Sequence, residues 1–243
     1  MALVSGCSRD TSGPPPSPPP VDGSLDRLAD AIELVNDGRA SVLERVTAVL
    51  VGLQRRDAVD ALAAAGDRQG AQQQDGPADV ALGRSAPALN DVGIALEAFV
   101  QGLDDLAAAA VTDELDATQR RLVESVVTVG RAEVSTTRAL AAAVRTALPA
   151  YADLGVQLDE WLRRARAGWY RTREEAANAY AVLVAPGRPR LEAARVAVTS
   201  ADGRRVAAVE RSTAAIGLAR RALAPLTTRP TEVAGPPSGL PGG

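Results

Sequence analysis

The sequence predicts an all-α fold, an elongated antiparallel bundle of about five long helices set between Pro-rich ends. Apolar residues recur at alternating three- and four-residue spacings over long stretches, the heptad signature of helices packed side by side. The apolar content is almost entirely alanine and aliphatic, with only six aromatics: Phe99, Tyr151, Trp161, Trp169, Tyr170 and Tyr180. That composition suits close-packed helices better than sandwiches or barrels, which lean on aromatic and β-branched strands. No segment shows the period-two alternation of a half-buried strand.

Residues 1–23 run from Met1 through Pro14-Pro15-Pro16 and Pro18-Pro19-Pro20, a proline density that favours an extended tether over a helix. The helical body, 24–224, opens at Ser24, a good N-cap. Leu25, Leu28, Ile32, Val35, Val42, Val46, Val49 and Leu53 form the first stripe, with Arg39 filling its one non-apolar position. Asn36-Asp37-Gly38 reads as a turn, and Ser41 with Glu44 as a capping box. The stripe nevertheless keeps its register across Gly38, so one continuous or bent helix is expected to about Ala65. Gly66 to Asp79, with three glycines, a Gln run and Pro77, reads as a loop.

A second stripe follows at Leu89, Val92, Leu96, Phe99, Leu103 and Leu106. The apolar phase shifts between Leu106 and Leu115. Thr112 is the expected cap of the third helix, with Asp113 and Glu114 in its first turn, where carboxylates favour the helix dipole. This helix carries Leu122, Val126 and Val129 and runs to Leu148, with Pro149 as a kink or a fresh start. The fourth helix is expected to hold Leu154, Leu158, Trp161, Ala165, Trp169 and Leu183, closed by Pro186-Gly187-Arg188-Pro189. The fifth holds Leu191, Val198, Val209, Ile216 and Leu223 and stops before Pro225. The tail, 225–243, is again rich in Pro and Gly, and both ends are expected to be disordered.

The residues that are missing exclude much chemistry. With no histidine there is no Ser-His-Asp triad, no Cys-His dyad and no His-based zinc or di-iron site. The lone cysteine excludes intrachain disulfides, thiolate zinc sites and iron–sulfur clusters. No phosphate loop, nucleophile elbow or dinucleotide fingerprint appears. No cofactor or metal is expected, and the chain reads as non-enzymatic. No apolar run approaches the roughly 18 residues of a membrane-spanning helix.

All 27 basic residues are arginine, which fits a high-GC codon bias. Residues 1–124 hold 10 arginines and 20 carboxylates, residues 125–243 hold 17 and 10. Acidic helices packed beside basic ones account for this split; a molecule presenting a basic end to an anionic partner is the alternative.

Val4-Ser5-Gly6-Cys7 resembles the lipobox of bacterial lipoproteins, in which small residues precede a lipidated cysteine that becomes the mature N-terminus. The resemblance implies a membrane anchor on Cys7, a bundle outside the cytoplasm, and a basic and apolar leader encoded upstream of Met1, since only six residues precede the cysteine. The Ser/Pro/Gly stretch after Cys7 suits a tether. The second candidate is Trp161 to Arg173, where Arg163, Arg164, Arg166, Arg171 and Arg173 interleave with Trp169 and Tyr170. Arginines with interleaved aromatics can bind phosphates while rings stack on bases or sit at a membrane interface. The competing account makes Trp161, Ala165 and Trp169 a buried stripe with solvated or paired arginines around it. A ligand here would be an anionic lipid headgroup or envelope polymer, not nucleic acid. Adjacent carboxylates such as Asp104-Asp105 and Asp159-Glu160 diverge by about 100° on a helix and cannot share a metal locally.

Together these features point to a lipid-tethered envelope bundle that binds or scaffolds a protein or anionic partner. A cytoplasmic coiled-coil scaffold and an Arg163–Arg173 anion-binding module are the alternatives.

Overall fold

A computed structural model describes residues 24–111 and 115–227. The expected tether, Cys7, Thr112–Glu114 and the tail beyond Thr227 lie outside them. The described residues form five helices: α1 Ser24–Ala64, α2 Arg68–Ala109, α3 Ala117–Arg166, α4 Arg173–Val184 and α5 Arg188–Thr227. No strand occurs among the described residues.

α1 and α2 form one antiparallel hairpin. Gly38 lies against Phe99, and Gly52 against Ala81 and Ser85. α3 runs beside α2, with Gly130 against Leu103. α4 and α5 run in the same sense, back along α3: Trp161 meets Ala176, Gly187 lies beside Gln157, and Arg190 meets Asp153. They act as one return helix interrupted at 185–187, so the architecture is an up-down-up-down four-helix rod. The four long helices have 40 to 50 residues, about 60–75 Å at ~1.5 Å per residue.

The first two stripes are buried as read: Leu28, Ile32, Val35, Val42, Val46, Val49 and Leu53 on α1, and Leu89 to Leu106 on α2. In α3 the core face is Val123, Val126, Val134, Leu140 and Val144, with Leu122 and Val129 only at its margin. Arg39 is buried too. Its Nε donates to both carboxylate oxygens of fully buried Glu133 (2.9 and 3.2 Å), and its Nη2 donates to Val209 O at 2.9 Å and to Thr213 Oγ1. The one polar position of the α1 stripe is therefore an ion-paired layer joining three helices.

α1 is continuous across Gly38, as its unbroken stripe requires, and Gly38 lets the α2 backbone approach: a Cβ there would lie 3.1 Å from Phe99 Cα. Several other boundaries differ from expectation. The loop expected over Gly66–Asp79 shrinks to 65–67. α2 begins at Arg68 and continues through Pro77 and Pro87. A proline inside a helix costs about 3 kcal/mol, here offset by burial of Ala71 and Ala78 and by the Arg56–Asp75 ion pair, all tying the first turns of α2 to α1. Pro149 likewise sits inside α3; the proline faces solvent while Ala147, Ala150 and Tyr151 stay buried.

α3 starts at Ala117, capped by Asp116, whose side chain accepts from the Thr118 and Gln119 backbone while the Gln119 side chain returns to Asp116 N. A complete capping box at 116–119 thus supersedes the cap expected at Thr112. The expected fourth helix is divided, since α3 ends at Arg166 and α4 starts at Arg173. α5 passes Pro225 and ends at Thr227; within the final turn a proline forfeits only one backbone bond.

The charge split is resolved largely by packing. Arg188 and Arg195 of α5 pair with Asp57 and Asp60 of α1, Arg220 with Glu33, and Arg131 of α3 with Asp104 of α2. No helix among the described residues is long and apolar enough to cross a membrane.

Candidate functional site

The end of the rod formed by the turns at 65–67 and 167–172, here the tip, gathers the arginines read from the sequence. α1 ends in a Schellman turn: Gly66 takes φ +71°, Gly66 N donates to Ala63 O and Asp67 N to Leu62 O, both at 2.9 Å. Asp67 then caps α2, accepting from Gly70 N at 3.0 Å. α3 ends the same way at Gly168, φ +77°, with Gly168 N to Ala165 O and Trp169 N to Arg164 O. α4 opens with a capping box: the Thr172 hydroxyl accepts from Glu175 N, and the Glu175 carboxylate accepts from Thr172 N and Arg171 N.

These caps explain part of the Arg-rich segment. Arg163, Arg164 and Arg166 occupy the last turn of α3, where cations oppose the negative helix end. Arg163 and Arg164 both bind Glu160, at 2.6–2.7 Å, and these bonds pull the half-buried Glu160 carboxyl down to about 2. Arg164 also lies over the Trp169 ring, 5.3 Å from its centroid. Trp169, expected on a buried stripe, stands beyond the helix end and is 61 % exposed.

Tyr170, expected as a ligand-facing ring, is buried, because the Gly168 turn folds it back onto Trp161 with centroids 6.2 Å apart. Trp161 also meets Tyr180 edge-on at 5.5 Å and donates from Nε1 to Ala176 O at 2.9 Å. This aromatic cluster is the platform on which the tip stands.

Residues that sequence reading missed complete the tip. Arg68 donates to Tyr170 O at 2.5 Å. Arg166 donates to Leu162 O, and Arg173 lies 3.5 Å from Asp67. Between them is an open cleft of about 540 Å³, lined by Gly66, Asp67, Arg68, Gln69, Gln72, Ala165, Arg166 and Arg173. Arg171 is exposed on the 167–172 turn. The signal that could have revealed the missing residues is Ala-Gly-Asp-Arg at 65–68, a glycine C-cap followed at once by an N-cap.

Behind the aromatic platform, α1, α4 and α5 meet at Asp60. Its carboxylate accepts four hydrogen bonds, from the Tyr180 hydroxyl (2.5 Å), Arg188 (2.7 and 3.2 Å) and Arg195 (2.8 Å). A carboxylate has about four acceptor sites, so Asp60 is saturated. Burial pushes its carboxyl up, but the bonds from Arg188, Tyr180 and Arg195 outweigh burial and hold it below its ordinary range. Asp57 accepts from the Tyr151 hydroxyl (3.0 Å) and from Arg195. Burial, then the neighbouring carboxylates, push both tyrosine hydroxyls far above their ordinary range. Asp60 therefore has no acceptor site left open, and neither tyrosine is an acid that titrates near neutrality.

Asp75, Asp79 and Asp159 bring carboxylate oxygens within 4.8 Å of one another. Fully buried Arg56 faces the cluster: it donates to Asp75 at 2.8 Å and contacts Asp79. Burial pushes the Asp75 carboxyl up despite Arg56, and Asp159 adds to the rise. The cation that this cluster holds is an arginine of the protein. A groove of about 670 Å³ at the opposite end, along Ala107, Val111, Val123 and Val127, adjoins the undescribed residues 112–114.

No protein-family model, curated protein or solved structure matches the chain. The functional reading therefore rests on the chemistry above.

Proposed function

We propose that the protein is a lipid-tethered helical rod of the cell envelope, acting as a non-enzymatic binding or scaffolding module. The observation that carries this reading is Val4-Ser5-Gly6-Cys7 followed by the Pro-rich stretch to Ser24, a lipidation motif joined to a spacer. The interior supports a structural rather than catalytic role: Asp60 and Glu133 are satisfied by arginines, and the buried tyrosines titrate far from neutrality. Four long helices held by such layers make a stiff spacer suited to holding one end of the rod away from a membrane. Detergent phase partitioning of the product expressed from its native gene tests the proposal. The wild type is expected in the detergent phase with a mass increment on Cys7, and Cys7→Ala in the aqueous phase. An aqueous wild type with an unmodified thiol overturns it.

A further inference from the structure

We infer that the tip of the rod binds an anionic glycan, a polymer carrying carboxylate or phosphate groups beside saccharide rings. The binding elements are the cleft lined by Arg68, Arg166 and Arg173 and the exposed indole of Trp169 on the 167–172 turn at the same end of the rod. Charge, an exposed ring and position point there.

The first is charge and donor supply. The tip holds six arginines (68, 163, 164, 166, 171 and 173) against four carboxylates (67, 160, 174 and 175). Asp67 and Glu175 serve as helix caps, and Glu160 is shared by Arg163 and Arg164. Arg68 and Arg166 each give one hydrogen bond within the protein, and Arg173 makes one long contact to Asp67. A guanidinium has five N–H donors in a fork matched to carboxylate or phosphate, so most of their donors remain for a ligand. Gln69 and Gln72 add neutral amides on the same cleft, able to bond ring hydroxyls.

The second is the exposed ring. Trp169 is 61 % exposed although a packed aromatic cluster lies beside it. It is held out by the Gly168 turn and the Arg164 guanidinium. A flat indole presents an apolar surface to the C–H face of a pyranose, while its N–H can meet a hydroxyl. One exposed ring beside several arginines suits a sugar–anion repeat. A nucleic-acid strand uses successive stacking platforms, and Tyr170 is buried.

The third is position, which rests on the lipid anchor at Cys7. α1 starts at Ser24 at the opposite end of the rod, and its 41 residues put the tip about 60 Å away. The seventeen steps from Cys7 to Ser24 reach at most about 60 Å when fully extended. A rod standing off the bilayer therefore carries its tip toward polymer beyond that bilayer.

The test uses the full chain carrying Cys7→Ser, so that its result is independent of lipidation. Binding is measured to polygalacturonate, to dextran of similar length, and to phosphatidylglycerol vesicles. Polygalacturonate binding that weakens with salt is expected, with none to dextran. Arg68→Gln/Arg166→Gln/Arg173→Gln is expected to weaken it at least tenfold and Trp169→Ala several-fold, with helical circular dichroism and melting retained. Arg138→Gln/Arg145→Gln/Arg211→Gln removes the same charge from exposed positions on α3 and α5 and is expected to change binding less than twofold. Equal losses in the two triple variants would reduce the effect to net charge and overturn the site. Binding to vesicles without binding to polygalacturonate would reassign the tip to a membrane surface and overturn the glycan; binding to neither overturns both.

Discussion

Gly52, Gly83, Gly93 and Gly203 all sit inside long helices, yet alanine should act oppositely at the first and at the other three. A Cβ at Gly83, Gly93 or Gly203 meets nothing within 4 Å. Substitution there removes only the backbone-entropy penalty of a helical glycine, about 0.5–1 kcal/mol at each site. The triple variant should gain about 1.5–3 kcal/mol, a rise of roughly 4–8 °C in melting temperature for a domain of this size. A Cβ at Gly52 would lie 2.8 Å from the Ala81 carbonyl oxygen and would also strike the Ser85 hydroxyl. A backbone carbonyl cannot rotate away, so α1 and α2 must separate along a contact that continues past Gly38 and Phe99. Overpacking of this kind costs about 1–3 kcal/mol, and the helix-propensity gain recovers only part of it. Urea denaturation followed by circular dichroism at pH 7 measures both, an unchanged m-value licensing the comparison. If Gly52→Ala were as stabilising as Gly83→Ala, the close α1–α2 approach at Ala81 and Ser85 would be wrong.

Three further predictions follow from the buried charges and the aromatic platform. Arg39→Met strands Glu133, which is 0 % exposed, and should cost about 3–5 kcal/mol, whereas Arg39→Met/Glu133→Leu should restore most of it; urea midpoints decide, and a single-variant loss below ~1 kcal/mol refutes the layer. Because the folded-state pKa of Asp60 is depressed, its contribution is present above the ordinary carboxylate range and lost as pH falls through the lowered value. Asp60→Asn should therefore cost about 3 kcal/mol at pH 7, with the gap from wild type closing below about pH 4; a gap unchanged between pH 7 and pH 3 contradicts this. Iodide should quench Trp169 and spare Trp161, so Trp169→Phe should leave a blue-shifted, unquenched emission, and uniform quenching would refute the burial of Trp161.

The helical class and both early stripes were legible because heptad periodicity is a local property of the chain. Leu28 to Leu53 and Leu89 to Leu106 face the core as their spacing requires. Gly168 is the instructive miss. Three arginines, a glycine and Thr172-x-x-Glu175 form a helix end, a C-cap and a capping box in a row, all visible in the sequence. The tryptophan spacing from 161 to 169 masked them by imitating a continued helix. The tip was half legible: the arginines of 163–173 were visible, but Arg68, Gln69 and Gln72 join them only across the α1–α2 turn.

By itself the sequence determined the composition of the core, the absence of histidine chemistry, the arginine-only basic charge and the helical periodicity. These are properties of residue types and short spacings. The tertiary structure alone decided that α2 passes through Pro77 and α3 through Pro149, because burial of Ala71, Ala78 and Tyr151 against other helices outweighs a missing backbone bond. It alone joined Arg39 to Glu133 and gathered Tyr180, Arg188 and Arg195 on Asp60, across separations of 94 to 135 residues. Pairing energy depends on distance in space and on burial, and neither is encoded in any window short enough to read along the chain.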